Sequence, residues 1–146
     1  ISRGLVGSEM CIRDSALTLY DLGRIPFSSR SGFSKVILKN RWSMTMAGAN
    51  VRYRKRIRAF DRIRMQTRTV CWDKRFLYIE QSMWNSKKEC AGHIIYRAAF
   101  VGNNGIINPQ KIFDEIEVAL VSPKMPDWLK DWVDSEEKRP WPPMQE

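Results

Sequence analysis

Two consecutive stretches at the centre of the chain alternate apolar and basic residues, and this alternation limits the possible fold more than any other feature. The stretches read ANVRYRKRIRAF over residues 49–60 and DRIRMQTRTVCW over residues 61–72. A period of two is typical of β-strands that bury one face. The buried row of the second stretch is predicted to contain Ile63, Met65, Thr67, Thr69 and Cys71. We therefore predict two strands with a basic outer face.

Two further strands follow, so the centre of the chain is predicted to be an antiparallel meander. The segment FLYIEQSMW over residues 76–84 is reached through WDKR, whose Asp73 and Lys74 suit a tight hairpin. The segment CAGHIIYRAAFV over residues 90–101 follows the polar turn NSKKE and ends at GNNG. Together with the helical patterns on either side, this order predicts an α+β fold.

Helical patterns flank these strands. Apolar residues from Leu17 to Ile25 predict a helix that Pro26 should kink or end, because proline lacks an N–H group. The serines at 28, 29 and 31 with Gly32 predict a loop or a broken second turn, and residues 33–38 predict a short second helix. Asn108 and Pro109 form a typical helix start, and that helix is expected to run to about Leu120.

The C-terminal segment combines two tryptophans with prolines. Trp128 and Trp132 are four residues apart, which predicts a short helix that clamps onto the body of the protein. The stretch from Arg139 onward is expected to be extended and mobile.

Length, composition and cysteine content exclude several classes of protein. A chain of 146 residues with 43% hydrophobic and 28% charged residues is consistent with one globular domain. No apolar run approaches the roughly 20 residues needed to cross a bilayer, and no secretory signal is visible. Three cysteines and one histidine do not form a zinc pattern, so we expect no metal site, reduced thiols and a cytoplasmic location.

The net charge of +9 is unevenly distributed. Eight basic residues and one acid lie between Arg52 and Arg68, whereas acids outnumber bases nine to four from Asp114 onward. We expect the two basic strands to be neighbours in the meander, so that their arginines face one another and require an anionic partner. That partner can be a ligand phosphate, an acid such as Glu80, or another subunit; alternatively, the basic face is simply solvated.

Three polar side chains are candidates for chemistry. His93 is predicted to share a strand face with Ile95 and Arg97, where it acts either as a structural hydrogen-bonding group or as an acid or base. Asp21 lies in an apolar helix and is either a base near a pocket or the ion-pair partner of Arg24. Asn50 stands at a predicted strand start. No P-loop, nucleophile-elbow, zincin or paired-carboxylate motif is present.

The order and spacing of several segments resemble the thioesterase-like hotdog proteins, in the branch of thioesterase superfamily member six. The resemblance covers about residues 16–135 and is carried by these segments: Asp21-Leu22-Gly23-Arg24, Arg52-Tyr53-Arg54-Lys55-Arg56, Trp72-Asp73-Lys74-Arg75, Phe76-Leu77-Tyr78-Ile79-Glu80-Gln81 and Met125-Pro126-Asp127-Trp128. It implies a hotdog fold, in which an antiparallel sheet wraps around a central helix, and a homodimer with active sites at the interface. It also implies hydrolysis of acyl-CoA thioesters without a cofactor.

The resemblance assigns roles to particular residues of this chain. Asp21 is the candidate catalytic residue. The candidate substrate-binding residues, with the arginines from 52 onward assigned to the CoA phosphates, are Arg24, Asn50, Arg52, Arg54, Arg56 and His93. The D-x-N-x-H-x-N-N-type segment that precedes the helix in the family is absent from the sequence, and the family usually lacks a proline at position 26.

The first fifteen residues have a separate interpretation. The segment LVGSEMCIRDS resembles the in-frame translation of a transposon adaptor used to prepare sequencing libraries. We therefore expect residues 1–15 to be non-native, residues 16–135 to form one hotdog domain, and residues 136–146 to be a Pro-rich flexible tail. The expected consequence is a truncated, inactive fragment whose first strand is missing or replaced.

Two other functions remain open at this point. The first is a non-catalytic hotdog module that binds acyl groups or a protein through its arginine face. The second is single-stranded nucleic-acid binding on the arginine-rich sheet, with Tyr53, Trp72 and Tyr78 as stacking platforms. We rank nucleic acid last, because the chain lacks an RNP motif, a KH loop and a helix-turn-helix.

Overall fold

A computed structural model describes residues 18–58, 61–117 and 119–144. Its helices are α1 (18–30), α2 (Phe33–Asn40), α3 (Pro109–Glu115) and α4 (Asp127–Lys138). Its strands are β1 (Ser43–Tyr53), β2 (Arg64–Trp72), β3 (Leu77–Trp84), β4 (Cys90–Gly102) and β5 (Gly105–Ile107). The predicted α+β class is confirmed. The predicted segment 1–15, with Cys11, lies outside the described residues.

The sheet is antiparallel and has the strand order β1-β4-β3-β2, with the short β5 paired to the end of β4. The meander from β2 to β4 is as predicted. The expectation that the two arginine-bearing strands are neighbours is wrong, because β1 and β2 lie at opposite ends of this order. The central strands β3 and β4 are buried on both faces, whereas β1 and β2 have basic side chains that require contact with solvent.

Helices cover both faces of the sheet. We call the face against α1, α2 and α3 the inner face, and the face against α4 the outer face. The inner core contains Tyr20, Phe33, Val36, Trp72, Leu77, Ile79, Met83, Ile94, Tyr96, Ala98, Phe100, Ile112 and Phe113. A smaller outer cluster joins Leu129 of α4 to Cys71, Tyr78 and Ile95. Edge-to-face rings, such as Phe33 against Phe113 at 5.4 Å, hold α2 and α3 together.

A bulge in β2 breaks the predicted alternation. The register with β3 shifts between Thr69 and Cys71, so one extra residue opposes the partner strand. Ile63 and Met65 therefore pack on the inner core, but Cys71 packs in the outer cluster. The prediction that Cys71 shares a face with Met65 is wrong, because the extra residue reverses the face to which the side chains after the bulge point.

Of the two predicted effects of Pro26, a kink or the end of α1, the end is wrong, because the helix continues for four residues beyond this proline. Pro26 is exposed, and the next residue, Phe27, packs on the inner core with its ring 5.9 Å from Phe33. This packing offsets the missing backbone hydrogen bond. The chain breaks instead at Gly32, whose φ of 80° is left-handed.

Helix α3 begins where predicted but ends earlier, and a helix is present at the two predicted tryptophans. Asn108 accepts a hydrogen bond from the Gln110 N–H at 2.9 Å, which confirms the predicted cap of α3. This helix ends at Glu115, short of Leu120, and Glu117 is left-handed with a φ of 61°. Helix α4 contains both predicted tryptophans and continues to Lys138, beyond the domain boundary expected at residue 135.

No helix among the described residues is long and apolar enough to cross a membrane.

Candidate functional site

A groove of about 660 Å³ lies between α1, the start of α2 and the edge strand β1. Its walls combine an ion pair, several hydroxyl groups and apolar side chains. The lining residues are Asp21, Arg24, Ile25, Ser28, Ser29, Ser34, Met44, Thr45, Met46, Ile79, Tyr96 and Ala98. A mixed lining of this kind suits a ligand with one polar and one apolar part.

Asp21 and Arg24 are brought together at this groove. They form an ion pair one helical turn apart, which confirms the second of the two roles considered for Asp21. The Asp21 side chain is 60% exposed, whereas that of Arg24 is 21% exposed. The Arg24 guanidinium also lies 4.3 Å from the centre of the Tyr96 ring. Arg24 is thus the better positioned of the two to contact a ligand inside the groove.

Three buried polar atoms beneath α1 have no hydrogen-bond partner among the described residues: Tyr20 Oη, Tyr96 Oη and Gln81 Oε1. Burial raises the pKa of both tyrosines well above the usual value, so they remain neutral hydroxyl groups. The Gln81 amide donates to Thr67 Oγ1 at 2.9 Å. Sequence reasoning missed this group. The signal was Gln81 itself, an amide between Ile79 and Met83 on the inner face of β3.

His93 lies on the outer face, away from the groove. It shares that face with Ile95 and Arg97, as predicted, and its Nε2 is 3.3 Å from Glu80 Oε2. Glu80 also pairs with Arg68, which stands directly opposite on β2. The ring of Trp128 lies edge-on to His93 at 6.2 Å. These contacts place His93 in a network that links the sheet to α4.

The other candidate site residues lie either on the outer face of the sheet or in the loop after β1. Asn50 and Arg52 stand opposite Ile95 and His93, so they belong to the outer face. Arg54 and Arg56 follow β1 in the loop that leads to β2, and both are exposed. The seven candidates therefore do not form one site: the groove holds only Asp21 and Arg24.

Cys71 is a buried thiol, and the possible metal ligands among the described residues are dispersed. Burial raises the pKa of the Cys71 thiol to about 11, so it is not a thiolate at neutral pH. Within residues 18–58, 61–117 and 119–144, no group of three or more histidine, cysteine or acidic side chains is arranged to hold a metal ion.

Comparison with protein families gives one match over most of the chain. Residues 12–133 match the model of the Thioesterase-like superfamily. This range begins inside the segment 1–15 that was expected to be non-native.

Two curated relatives share the name Protein THEM6. The one from Xenopus laevis is 28% identical over 115 residues, which cover 77% of this chain and 54% of the relative. The one from Drosophila melanogaster is 25% identical over 115 residues, which cover 79% of this chain and 58% of the relative. The chain therefore spans a little over half the length of these relatives.

Solved structures of low sequence identity share the fold. A DHNA-CoA thioesterase from Staphylococcus aureus has a TM-score of 0.61 and 15% identity, covering 85% of this chain and 78% of its own. YbaW, a probable thioesterase from Escherichia coli, has a TM-score of 0.64 and 8% identity, covering 70% of this chain and 80% of its own. A thioesterase from Thermus thermophilus, complexed with coenzyme A and Zn, has a TM-score of 0.55 and 16% identity, covering 87% of this chain and 81% of its own. These likenesses confirm the predicted hotdog fold.

Proposed function

The chain belongs to the thioesterase-like superfamily, and we propose that it binds acyl-CoA thioesters in the groove between α1 and β1. The observation that carries this proposal is the mixed lining of the groove. Arg24 and the nearby hydroxyl groups suit a thioester carbonyl, whereas Ile25, Met44 and Met46 suit an acyl chain. A guanidinium beside a carbonyl also stabilises negative charge that develops on its oxygen.

A homodimer completes the proposed site. The outer edge of β1 has no strand partner among the described residues, and the groove lies beside this edge. Leu22 and Ile25 on α1 are 57% and 65% exposed, and Met46 on β1 is 44% exposed. An open edge with neighbouring exposed apolar side chains favours a partner that covers both. We assign this place to a second copy of the chain.

Binding without hydrolysis is the form of this function that the groove favours. Hydrolysis requires a group that activates water, and Asp21 is the only carboxylate among the described residues that line the groove. Arg24 pairs with the Oδ1 atom of this carboxylate. The inactivity of this chain therefore stays a prediction, and a non-catalytic acyl-binding module is the alternative that gains support.

Nucleic-acid binding is the weaker alternative. Trp72 and Tyr78 are 9% and 0% exposed, so neither can stack on a base, and Tyr53 alone of the three is accessible. Failure of the chain to retard single-stranded RNA at low salt would remove this function.

A cytoplasmic location remains part of the proposal, supported by the free thiols of Cys71 and Cys90.

The first prediction tests binding and turnover separately. We expect the purified chain to bind acyl-CoA, measured by calorimetry, and to release no CoA, measured with a thiol reagent. Arg24→Gln should weaken acyl-CoA binding about tenfold, because it removes a charge-assisted hydrogen bond to the carbonyl.

Arg30→Gln is the matched control, since Arg30 is an exposed residue at the end of α1 that does not line the groove. Equal losses for the two variants would show that net charge, and not the groove, controls affinity. Turnover at an ordinary enzymatic rate would show that the chain is catalytic, and absence of binding would refute the proposed function.

A further inference from the structure

A second cavity lies at the end of the sheet, where β1 begins and β4 turns into β5. It has a volume of about 510 Å³, and its wall includes Trp42, Lys74, Asn103, Asn104 and Lys111. These residues come from four separate segments of the chain: the start of β1, the β2–β3 hairpin, the β4–β5 turn and α3. We call it the Lys74–Lys111 cavity.

The lining of this cavity consists largely of hydrogen-bond donors. None of the described residues that line it is acidic, and neither lysine forms an ion pair with any described residue. The nearby carboxylate of Glu115 is already engaged by Asn40 at 2.8 Å and by Lys39 at 3.6 Å. Two ammonium groups and several amides that converge without an acid favour an anionic ligand.

Two glycines shape the walls. A side chain at Gly102 would place its Cβ 2.9 Å from Ile107 Cδ1 and 3.0 Å from Trp42 Cδ1, so a larger residue there would require the isoleucine or the indole to move. Gly105 has a φ of 105°, which permits the tight turn that presents Asn103 and Asn104. The indole N–H of Trp42 makes no hydrogen bond to another described residue and remains available to a ligand.

The cavity and the groove are neighbours along β1. Met44 lines the groove and Trp42 lines the cavity, and two residues of extended chain span about 7 Å. By contrast, Arg54 lies eight residues beyond Met46, the last residue of β1 that lines the groove, which corresponds to about 26 Å of extended chain. The wall of the Lys74–Lys111 cavity at Trp42 is therefore nearer to the groove along β1 than the arginine-rich loop is.

We propose that the Lys74–Lys111 cavity binds the nucleotide phosphates of an acyl-CoA whose thioester lies in the groove. This inference rests on the proposed function, and it replaces Arg52, Arg54 and Arg56 as the phosphate-binding residues. The lysines bind the phosphates as point charges, and the Asn103 and Asn104 amides and the Trp42 N–H donate to the remaining oxygens.

The test compares two ligands that differ in the nucleotide. Dissociation constants are measured for an acyl-CoA and for the matching acyl-pantetheine thioester, which lacks the nucleotide phosphates. We expect Lys74→Gln with Lys111→Gln to weaken acyl-CoA binding about tenfold or more and to leave acyl-pantetheine binding unchanged. The control is Lys87→Gln with Lys88→Gln, which removes the same charge from the exposed β3–β4 turn. All four lysines are exposed, so thermal unfolding should be the same for each variant.

Each other outcome has a definite meaning. If acyl-CoA binds no more tightly than acyl-pantetheine, or if the Lys87/Lys88 variant loses as much affinity, the phosphate site is wrong and the proposed function stands. A selective loss in a triple variant of Arg52, Arg54 and Arg56 to glutamine would also overturn it. If the unmodified chain binds neither ligand, the proposed function fails, and the inference fails with it.

Discussion

Gly92 and Tyr20 are in contact where α1 crosses β4. A Cβ atom built at Gly92 would lie 2.6 Å from the Tyr20 hydroxyl oxygen, which is buried and has no hydrogen-bond partner among the described residues. The next nearest atoms to that Cβ, the Arg52 carbonyl oxygen at 3.5 Å and Tyr20 Cζ at 3.8 Å, are at ordinary contact distances. The hydroxyl is therefore the atom that excludes a side chain at position 92.

A double-mutant cycle tests this contact. Gly92→Ala should lower the free energy of unfolding by about 1–3 kcal/mol, because the methyl group overlaps the hydroxyl. Tyr20→Phe should be close to neutral or stabilising, since it removes a buried polar atom that has lost its hydration. The double variant should recover most of the loss, measured by denaturant unfolding. Additive effects would show that the two residues do not make this contact.

At the residue scale, local spacing predicts some of the candidate site but not all of it. Asp21 and Arg24 pair because a helix brings residues three apart together, so their contact follows from the sequence alone. Tyr96 was not identified as part of a pocket. It lines the groove because α1 lies across β4, and no local pattern reveals which strand residue a distant helix will cover.

At the scale of elements, α4 is attached to the sheet by one fully buried residue. Leu129 is 0% exposed and packs with Cys71, Tyr78 and Ile95 on the outer face. Polar contacts surround this anchor, such as Arg97 with Glu136 at 3.9 Å. The apolar contact provides most of the docking energy, because an ion pair whose charged atoms are 3.9 Å apart regains little of the cost of burying them.

Leu129→Ala should therefore lower the free energy of unfolding by about 2–4 kcal/mol, because it leaves a cavity under α4. Leu38→Ala makes the same chemical change at a residue that is 78% exposed, and it should shift stability by about 0.5 kcal/mol or less. Denaturant unfolding of both variants measures the difference. Similar losses for the two would mean that α4 is not held by this anchor.

At the scale of the whole molecule, the open edge of β1 leads us to predict a homodimer. Met46 is 44% exposed beside the open edge, where a second copy is proposed to pair. Met46→Lys should shift the chain toward monomer, since a charge on an edge strand opposes pairing. Sedimentation over a range of concentrations measures the effect.

Leu38→Lys serves as the control for this prediction, because it introduces the same charge on an exposed apolar position of α2, outside β1. If the unmodified chain is a monomer at high concentration, the homodimer is wrong. If both lysine variants dissociate equally, the interface does not involve the β1 edge in particular.

The local structures of this chain can be predicted from its sequence. The period of two identified β2 and the end of β1, and the Asn108–Pro109 pair located the start of α3. These features depend on interactions between residues a few positions apart, so they can be read from a linear pattern. The strand predicted over residues 49–60 is wrong in its bounds, because β1 begins at Ser43 and ends at Tyr53, and the alternation from 54 to 58 lies in a loop.

The way these elements combine is visible only in the folded molecule. Strand β1 pairs with β4, so Ser43 lies opposite Val101, and the two arginine-bearing strands are separated across the sheet. The bulge after Thr69, the passage of α1 through Pro26 and the groove beside β1 likewise depend on contacts between distant segments. The total burial of apolar surface over the whole molecule determines these contacts. That total cannot be derived from any single stretch of sequence.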